Sequence, residues 1–213
     1  MKTQLLKQTF FALCLCFAMP FAKAQVRVGD ILCDDNTVVS QAAYAVSSNA
    51  AVGVVFYVDG TGKHGWAVGL EDLGEYAWGP NSRDTKLRNY KNRQDALSDR
   101  NGLSNTRSIL QAGYNIEFPA FDIVDFENGW YLPAIGQWKR LYSNLDKVNA
   151  GLEAVGGSAI PSTTEPECEY WSSTEYSICD AWTIDSCGNV HHKDVTFNGN
   201  KDGRRHVRAA VNF

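Results

Sequence analysis

The sequence has little positive charge for its length, and it has no long apolar run after its first 24 residues. Its 213 residues include 20 Lys and Arg against 24 Asp and Glu, which gives a formal net charge of −4. A net acidic chain is a poor candidate for binding nucleic acid or anionic membranes, because both need clustered basic side chains. It also has no internal repeat, low-complexity tract or heptad pattern, which excludes repeat arrays and coiled coils.

The first 24 residues have the pattern of a secretory signal peptide. Lys2 and Lys7 give a basic start, an apolar run extends from residue 9 to residue 21, and Ala22 and Ala24 supply small residues for cleavage. The apolar run is shorter than the roughly 20 residues that span a bilayer. We expect cleavage after Ala24, no membrane insertion of the mature chain, and export to the periplasm, the outer surface or the medium. Cleavage would change the formal charge from −4 to −7.

Few cysteines remain after this cleavage: positions 33, 168, 179 and 187. An even number in an oxidising compartment favours disulfides, and four cysteines allow three pairings. The segment from Cys179 to Cys187 is short enough to close a local loop or strand pair. We therefore prefer the pairs Cys179–Cys187 and Cys33–Cys168, with free thiols as the alternative.

The early part of the chain predicts a β-hairpin. Residues 52–58 form a continuous apolar run rich in β-branched and aromatic side chains, as in a buried strand. A loop with three glycines follows, and the strand pattern resumes at Trp66. We assign residues 25–80 to this N-terminal segment, packed on the main domain or continuous with it.

Helical patterns occupy the middle of the chain. Residues 79–104 are polar and predict a solvated loop or a surface helix, after which Ser104 or Asn105 can cap a helix that Gly113 ends. Pro133 suits the first turn of another helix, whose apolar residues recur every three or four positions. That apolar stripe consists of Ile135, Trp138, Leu141, Tyr142 and Leu145.

The last third predicts short strands separated by turns. Residues 181–185 and 190–197 alternate well enough to pair, and residues 206–213 form a final strand. The fold class is therefore α+β, with helices mostly in the middle and strands at both ends. We expect the N- and C-terminal strands to lie close together.

Four sequence blocks in this region resemble one family. They are GWYLPAIGQWKRLY (129–142), YWSSTEYS (170–177), AWTID (181–185) and HVRAAVNF (206–213). Their order and spacing resemble the C-terminal domain of collagen-like bacterial adhesins, and the earlier hairpin is similar to segments that precede such domains in surface proteins of Bacteroides-type bacteria.

The resemblance implies a C-type-lectin-like domain over residues 81–213, with short twisted antiparallel sheets and helices packed on them. It also implies adhesion at the cell surface and binding of glycans. The final strand of the family is a structural element, so Arg208 is expected to make structural hydrogen bonds.

The YWSSTE block is interpreted as a strand of the core. Alternation along a strand places Trp171 and Ser173 on one face and Tyr170 and Thr174 on the other. We expect the Trp171 indole to pack on the helix that carries Trp138, so that the block is structural. The predicted core comprises Trp130, Leu132, Trp138, Trp171, Val207 and Phe213.

A ligand surface is predicted over residues 185–205. Sugars are held by planar hydrogen-bonding groups and an aromatic face, and this segment with Trp182 offers both. Its basic residues could attract sulfated or carboxylated glycans in an otherwise acidic protein. An ordinary hydrated loop is the alternative. The candidate residues are Trp182, Asp185, His191, Lys193, Asn198, Asn200, Lys201, Asp202, Arg204 and Arg205.

Cofactor sites are weakly supported. Asn198, Asn200 and Asp202 alternate before Gly203 as at the start of a calcium loop. The glutamate that such a loop needs at its twelfth position is replaced by Ala209. We therefore expect no cofactor, with a weak calcium site as the alternative.

Catalytic patterns are weaker still. A serine hydrolase would combine Ser172 or Ser173 with a base from His191 or His192 and an acid from Asp185 or Asp194, yet no G-x-S-x-G elbow is present. Our main hypothesis is a secreted, non-enzymatic module that recognises a glycan or surface ligand. The alternative is a structural or assembly subunit, such as a fimbrial tip component, that contacts other surface proteins. An envelope enzyme is a third hypothesis.

Overall fold

The computed structural model describes residues 25–81, 83–163, 168–194 and 203–213. The predicted signal peptide lies outside these ranges. Within them the chain forms two five-stranded sheets with helices between and beside them. No helix in the described part of the chain is long and apolar enough to cross a bilayer.

The strands and helices follow in chain order. The strands are β1 (Ile31–Cys33), β2 (Val38–Val39), β3 (Ala51–Val58), β4 (Gly65–Gly69), β5 (Glu75–Ala77), β6 (Glu169–Ser177), β7 (Asp180–Asp185), β8 (Val190–Asp194), β9 (Arg204–His206) and β10 (Ala210–Asn212). The α-helices are α1 (Gln41–Tyr44), α2 (Arg93–Ala96), α3 (Gly102–Gln111), α4 (Pro119–Asp122), α5 (Ile135–Tyr142) and α6 (Leu145–Ala154), with 3-10 turns at Asn115–Glu117 and Phe126–Asn128. The mixed α+β class, with helices mostly in the middle, is confirmed.

The first sheet has the strand order β10-β4-β3-β1-β2, with antiparallel pairing throughout. Its centre is the predicted hairpin: β3 and β4 pair with Val54 opposite Val68. The N-terminal strand β1 and the C-terminal strand β10 share this sheet, but β3 and β4 separate them. The chain ends are therefore in one sheet without pairing to each other.

The second sheet has the order β5-β9-β6-β7-β8. The hairpin pairings β6–β7 and β7–β8 are antiparallel, whereas β6 meets β9 in parallel at Tyr170 and His206. Since β5 belongs to this sheet and β10 to the first, strand pairing connects residues 25–80 with the rest of the chain in both sheets.

The predicted final strand is in fact two strands in two sheets. β9 pairs in the second sheet, β10 pairs in the first, and residues 207–209 cross between them. Arg208 stands at the crossing and is fully buried. Its guanidinium donates to the carbonyls of Gly69 (Nε, 2.9 Å), Leu70 (Nη2, 2.6 Å) and Ser158 (Nη2, 2.7 Å). The expected structural hydrogen bonds of Arg208 are present. They stabilise the segment in which the chain passes from the second sheet to the first.

The helices begin and end close to the predicted positions. α3 starts earlier than expected, with Asn101 rather than Ser104 or Asn105 at the N-cap, and Gly113 follows its end at φ +77°. In α5 the residues Ile135, Trp138 and Leu141 are buried as predicted, whereas Leu145 opens α6. The segment 79–104 is only partly solvated, because it contains α2 and several buried side chains: Thr85, Tyr90, Ala96 and Asp99.

Two apolar clusters lie on the two faces of the second sheet. The first contains Tyr170 and Trp182 together with residues of α5, α6 and the first sheet; the second contains Trp171 with residues of α3 and α4. Of the predicted core residues, Leu132, Trp138, Trp171 and Val207 are fully buried. Trp130 and Phe213 are only half-buried: Trp130 lies over Gly53 and Gly69, and Phe213 lies beside Gly65.

The side chain that packs on Trp138 is Tyr170, with ring centroids 4.8 Å apart. Trp171 is buried as expected, but its ring points to the opposite face of β6, and its Nε1 donates to the Tyr76 carbonyl at 2.8 Å. The alternation of β6 was predicted correctly. The face of β6 that meets the helix was predicted wrongly.

None of the four described cysteines forms a disulfide. Cys179 precedes β7 and Cys187 follows it, so the strand holds them roughly 20 Å apart at about 3.3 Å per residue. A disulfide needs Cα atoms about 4.4–6.8 Å apart, so the predicted Cys179–Cys187 bond is wrong. The predicted Cys33–Cys168 bond is absent as well: Cys33 ends β1 of the first sheet, and Cys168 leads into β6 of the second.

Candidate functional site

Trp182, an aromatic residue of the predicted ligand surface, is not at the surface; Phe197, the other, lies outside the described residues. Trp182 is 4% exposed, and its Nε1 donates to the Tyr90 carbonyl at 2.9 Å. Its side chain points into the first apolar cluster, because β7 places that position on the inner face of the sheet. A sugar could not stack on this ring, so Trp182 is removed from the candidate ligand residues.

Asp185 and His191 organise the turn between β7 and β8. The Asp185 carboxylate accepts hydrogen bonds from the backbone N–H groups of Cys187 (2.9 Å) and Asn189 (2.7 Å), and His191 Nε2 lies 3.1 Å from it. Burial alone would raise the pKa of Asp185, but these hydrogen bonds outweigh it and hold the pKa below its usual range. The carboxylate is therefore a turn-closing group with little capacity left for a ligand.

Three basic residues of the predicted surface, Lys193, Arg204 and Arg205, make contacts within the protein. Glu169, which is almost fully buried, contacts Arg205 Nε at 2.5 Å and Lys193 Nζ at 3.1 Å. Arg204 donates through Nε to the Glu75 carbonyl at 3.1 Å. These side chains hold β9, β6 and β8 together, and an ion pair that serves this purpose is less available to an acidic glycan.

The remaining predicted ligand residues, Asn198, Asn200, Lys201 and Asp202, lie outside the described residues. The weak calcium hypothesis rests on three of them and lies outside the described residues with them. In the ranges that the structure describes, no group of three or more His, Cys, Asp or Glu side chains could hold a metal ion.

The serines of the YWSSTE block do not meet an imidazole. Ser172 Oγ donates to the Trp182 carbonyl at 2.7 Å, and Ser173 Oγ accepts from Asn105 Nδ2 at 3.2 Å. Both serines are fully buried. His191 contacts Asp185, and the ring of His192 stacks on Tyr176 at 3.9 Å. Ser172 and Ser173 therefore have neither His191 nor His192 as a hydrogen-bond partner.

A buried polar network around Asp99 was not anticipated from the sequence. Asp99 is 1% exposed, and its Oδ2 accepts from Thr174 Oγ1 (2.8 Å) and Asn105 Nδ2 (3.0 Å). Thr174 Oγ1 in turn accepts from the N–H of Ile135 at 2.9 Å. The hydroxyls of the block therefore connect β6 to α3 and to the start of α5, which is a structural role.

Glu175, the last residue of YWSSTE, is 3% exposed and accepts a hydrogen bond from Thr85 Oγ1 at 2.8 Å. Burial raises its pKa to about 7; the Thr85 hydrogen bond opposes this rise, and the nearby Asp84 adds to it. A carboxyl group that titrates near neutral pH is a common feature of functional sites, but this one faces the segment 85–90 inside the fold.

A charged cluster joins the loop between β4 and β5 to β6 and β9. His206 Nδ1 lies 3.0 Å from Asp72 Oδ2, which also accepts from the Tyr170 hydroxyl at 2.9 Å. The Asp72 carboxylate, and then the Cys168 thiol, raise the pKa of His206 to about 10 against the effect of burial. His206 is therefore a cation at neutral pH, which fits an ion pair that anchors β9.

One surface cavity is an apolar groove at the ends of β3 and β4, with a volume of about 350 Å³. Gly69 and Trp130 both line it, and the Trp130 ring lies over the backbone of Gly53 and Gly69; a Cβ on Gly53 would come within 3.3 Å of the ring. Ile123 is 38% exposed on its wall. The residues that line this apolar groove are Val52, Gly69, Leu70, Glu71, Leu73, Ile123, Asp125, Trp130 and Ala209.

A second cavity, which we call the arginine pocket, lies where α3 meets the first sheet and has a volume of about 230 Å³. It is lined by Trp66, Arg100, Asn101, Leu103, Ser104, Arg107, Tyr131, Gln137 and Asn212. No sequence pattern indicated this pocket, because these residues come from four separate segments. Both cavities lie away from the predicted ligand surface.

Comparisons with known proteins bear on the fold. No protein-family model matches the sequence, and no curated protein matches it. A solved structure of a fimbrial protein from Bacteroides ovatus matches with a TM-score of 0.61 at 17% sequence identity. The alignment covers 88% of this chain and 49% of that protein, so the chain spans about half of its length. At this identity the likeness shows a shared fold; the C-type-lectin-like assignment stays a prediction.

Proposed function

We propose that this chain is a non-enzymatic structural or assembly subunit of a fimbria-type surface structure, in which it contacts other envelope proteins. The observation that carries the proposal is the similarity of 88% of the chain to a fimbrial protein of Bacteroides ovatus. The predicted signal peptide agrees with it, since such a subunit must be exported. The proposed location is the outer surface.

The apolar groove is the proposed contact surface. An exposed apolar patch that combines a half-buried tryptophan with an exposed isoleucine is typical of protein interfaces, where Trp often contributes much of the binding energy. The charged residues among those that line it are Glu71 and Asp125, both acidic. Charge complementarity therefore favours a partner segment that combines apolar side chains with a lysine or arginine.

Glycan recognition through residues 185–205 has less support. Trp182 is buried, Phe197 lies outside the described residues, and Lys193, Arg204 and Arg205 make contacts within the protein. The non-enzymatic part of the proposal is supported by the burial of Ser172 and Ser173 without an imidazole beside them.

Replacement of Ile123 by Glu tests the assembly function. A carboxylate at this position would add negative charge to an acidic groove and remove apolar surface from the contact. The tagged chain is expressed in the bacterium that naturally produces it, surface filaments are sheared off, and the fraction of the chain that sediments with them is measured. We expect the wild type to sediment with filaments and Ile123→Glu to remain at least fivefold more in the soluble fraction.

Ile178→Glu is the matched control. Ile178 is 46% exposed in the turn between β6 and β7, so the substitution adds the same charge at a similar exposure away from the groove. It should sediment like the wild type. A wild-type chain that is never recovered with filaments would refute the assembly function, and equal loss in both variants would refute the groove as the contact surface.

A further inference from the structure

The arginine pocket combines two uncompensated cations. Arg100 precedes α3 and Arg107 lies in its second turn, and both are exposed. Among the described residues, no carboxylate pairs with either of them, whereas Arg83, Lys193 and Arg205 all have acidic partners. The described lining residues include no Asp or Glu. In an acidic protein, such a pair of guanidinium groups selects for an anion.

Trp66 gives the pocket an aromatic wall. Its ring stacks on Tyr57 at 4.2 Å, which fixes its orientation on β4, and it is half-buried. The four fully buried tryptophans each donate Nε1 to a backbone carbonyl: Trp78, Trp138, Trp171 and Trp182. Trp66 makes no such bond within the described part of the chain. Its ring and its N–H therefore remain available at the pocket.

The same sheet face presents a fixed amide beside Trp66. Gln137 Nε2 donates to the Tyr131 hydroxyl at 2.9 Å, and that hydroxyl donates to Asn212 Oδ1 at 2.7 Å. This chain of hydrogen bonds occupies the carbonyl side of the Asn212 amide and directs its NH₂ group as a donor. Asn212 also pairs with Trp66 across β10 and β4, so the donor and the ring have a fixed spacing.

We propose that the arginine pocket binds one carboxylated sugar residue, such as a hexuronate. Arg100 and Arg107 would bind the carboxylate, Trp66 would pack on the ring, and Asn212 would donate to a hydroxyl. An aromatic face with planar hydrogen-bonding groups suits a sugar, and a volume of about 230 Å³ suits one ring better than an extended peptide. The site is separate from the apolar groove, and the proposal does not depend on the assembly function.

Titration of the purified protein with four probes tests the proposal: glucuronate, glucose, acetate and a short glutamate-rich peptide. Binding is measured by calorimetry and by the fluorescence of the tryptophans at low salt, because screening weakens charge pairing. We expect glucuronate to bind at least tenfold more tightly than glucose or acetate, since only glucuronate provides both the ring and the charge. The peptide should bind more weakly than glucuronate.

The variants Arg100→Gln and Arg107→Gln should each weaken glucuronate binding by about tenfold, while Arg93→Gln, an exposed arginine on α2, should leave it unchanged. Unchanged thermal unfolding of the variants would show that they are folded. Equal affinity for acetate would make the pocket a general anion site and overturn the proposal. So would tighter binding of the peptide, no binding of glucuronate, or full binding by both pocket variants.

Discussion

Thr174 Oγ1 donates to Asp99 Oδ2 at 2.8 Å, although 75 residues separate them in sequence. The same hydroxyl oxygen accepts the N–H of Ile135 at the start of α5. One threonine thus connects a buried carboxylate, a helix terminus and the strand that contains the YWSSTE block. The hydroxyl groups of the YWSSTE block therefore make contacts on which the fold depends.

Replacement of Thr174 by Val should destabilise the protein by about 3 kcal/mol, because it leaves both the Asp99 carboxylate and the Ile135 N–H short of a partner inside the fold. Urea denaturation followed by circular dichroism measures the loss. Thr61→Val is the matched control: Thr61 also donates to an aspartate, Asp59 at 2.6 Å, but in an exposed loop. A loss no larger than that of the control would contradict the structural role of Thr174.

Stability should fall as the pH rises from about 4.5 to about 7, because of Glu175. Its pKa is raised from 4.5 to about 7 in the folded state, so folding favours its protonated form. The stabilisation is fully present below the unfolded-state pKa and is lost as the pH rises through the folded-state pKa. The expected contribution is roughly 2 kcal/mol, allowing for partial solvent screening.

Glu175→Gln should remove this part of the pH dependence, since an amide keeps the hydrogen bond from Thr85 and does not ionise. The free energy of unfolding of both proteins is measured by urea titration at pH 4.5, 5.5, 6.5 and 7.5. Glu153→Gln, an exposed position on α6, should retain the wild-type slope. If Glu175→Gln also keeps that slope, the group does not titrate in this window.

Local patterns predicted most of the secondary structure. The β-branched run at residues 52–58 correctly predicted β3, and the apolar stripe of α5 correctly predicted its buried face. Both predictions depend on short patterns that can be read from the sequence alone. The alternation of β6 was predicted for the same reason. Periodicity fixes which residues share a face, but it does not say which face meets a given helix when both are buried. That is why Tyr170, rather than Trp171, packs on Trp138.

These short patterns could not predict contacts between residues that are distant in sequence. The continuous run HVRAAVNF contains no glycine or proline, yet it is divided between two sheets, with Arg208 bound to the carbonyls of Gly69, Leu70 and Ser158 at the crossing. The predicted ligand surface rests on the composition of residues 185–205. Composition does not distinguish a free arginine from one already paired with Glu169. The arginine pocket is formed by residues from distant segments, so only their spatial arrangement identifies it.

Arg208→Lys should destabilise the protein by about 3 kcal/mol, because an ammonium group cannot reproduce the planar fork that reaches three carbonyls at once. The loss should be concentrated at the crossing between the sheets: backbone amides of β10 should exchange hydrogen with solvent faster, while those of β7 keep their protection. Hydrogen exchange of the native protein measures this, with Arg93→Lys on the exposed surface of α2 as the control. Equal acceleration in β7 and β10 would indicate global destabilisation and contradict a local role. An unchanged exchange rate in β10 would show that strand pairing with β4, through Ala210 and Val68, holds the final strand without help from the guanidinium.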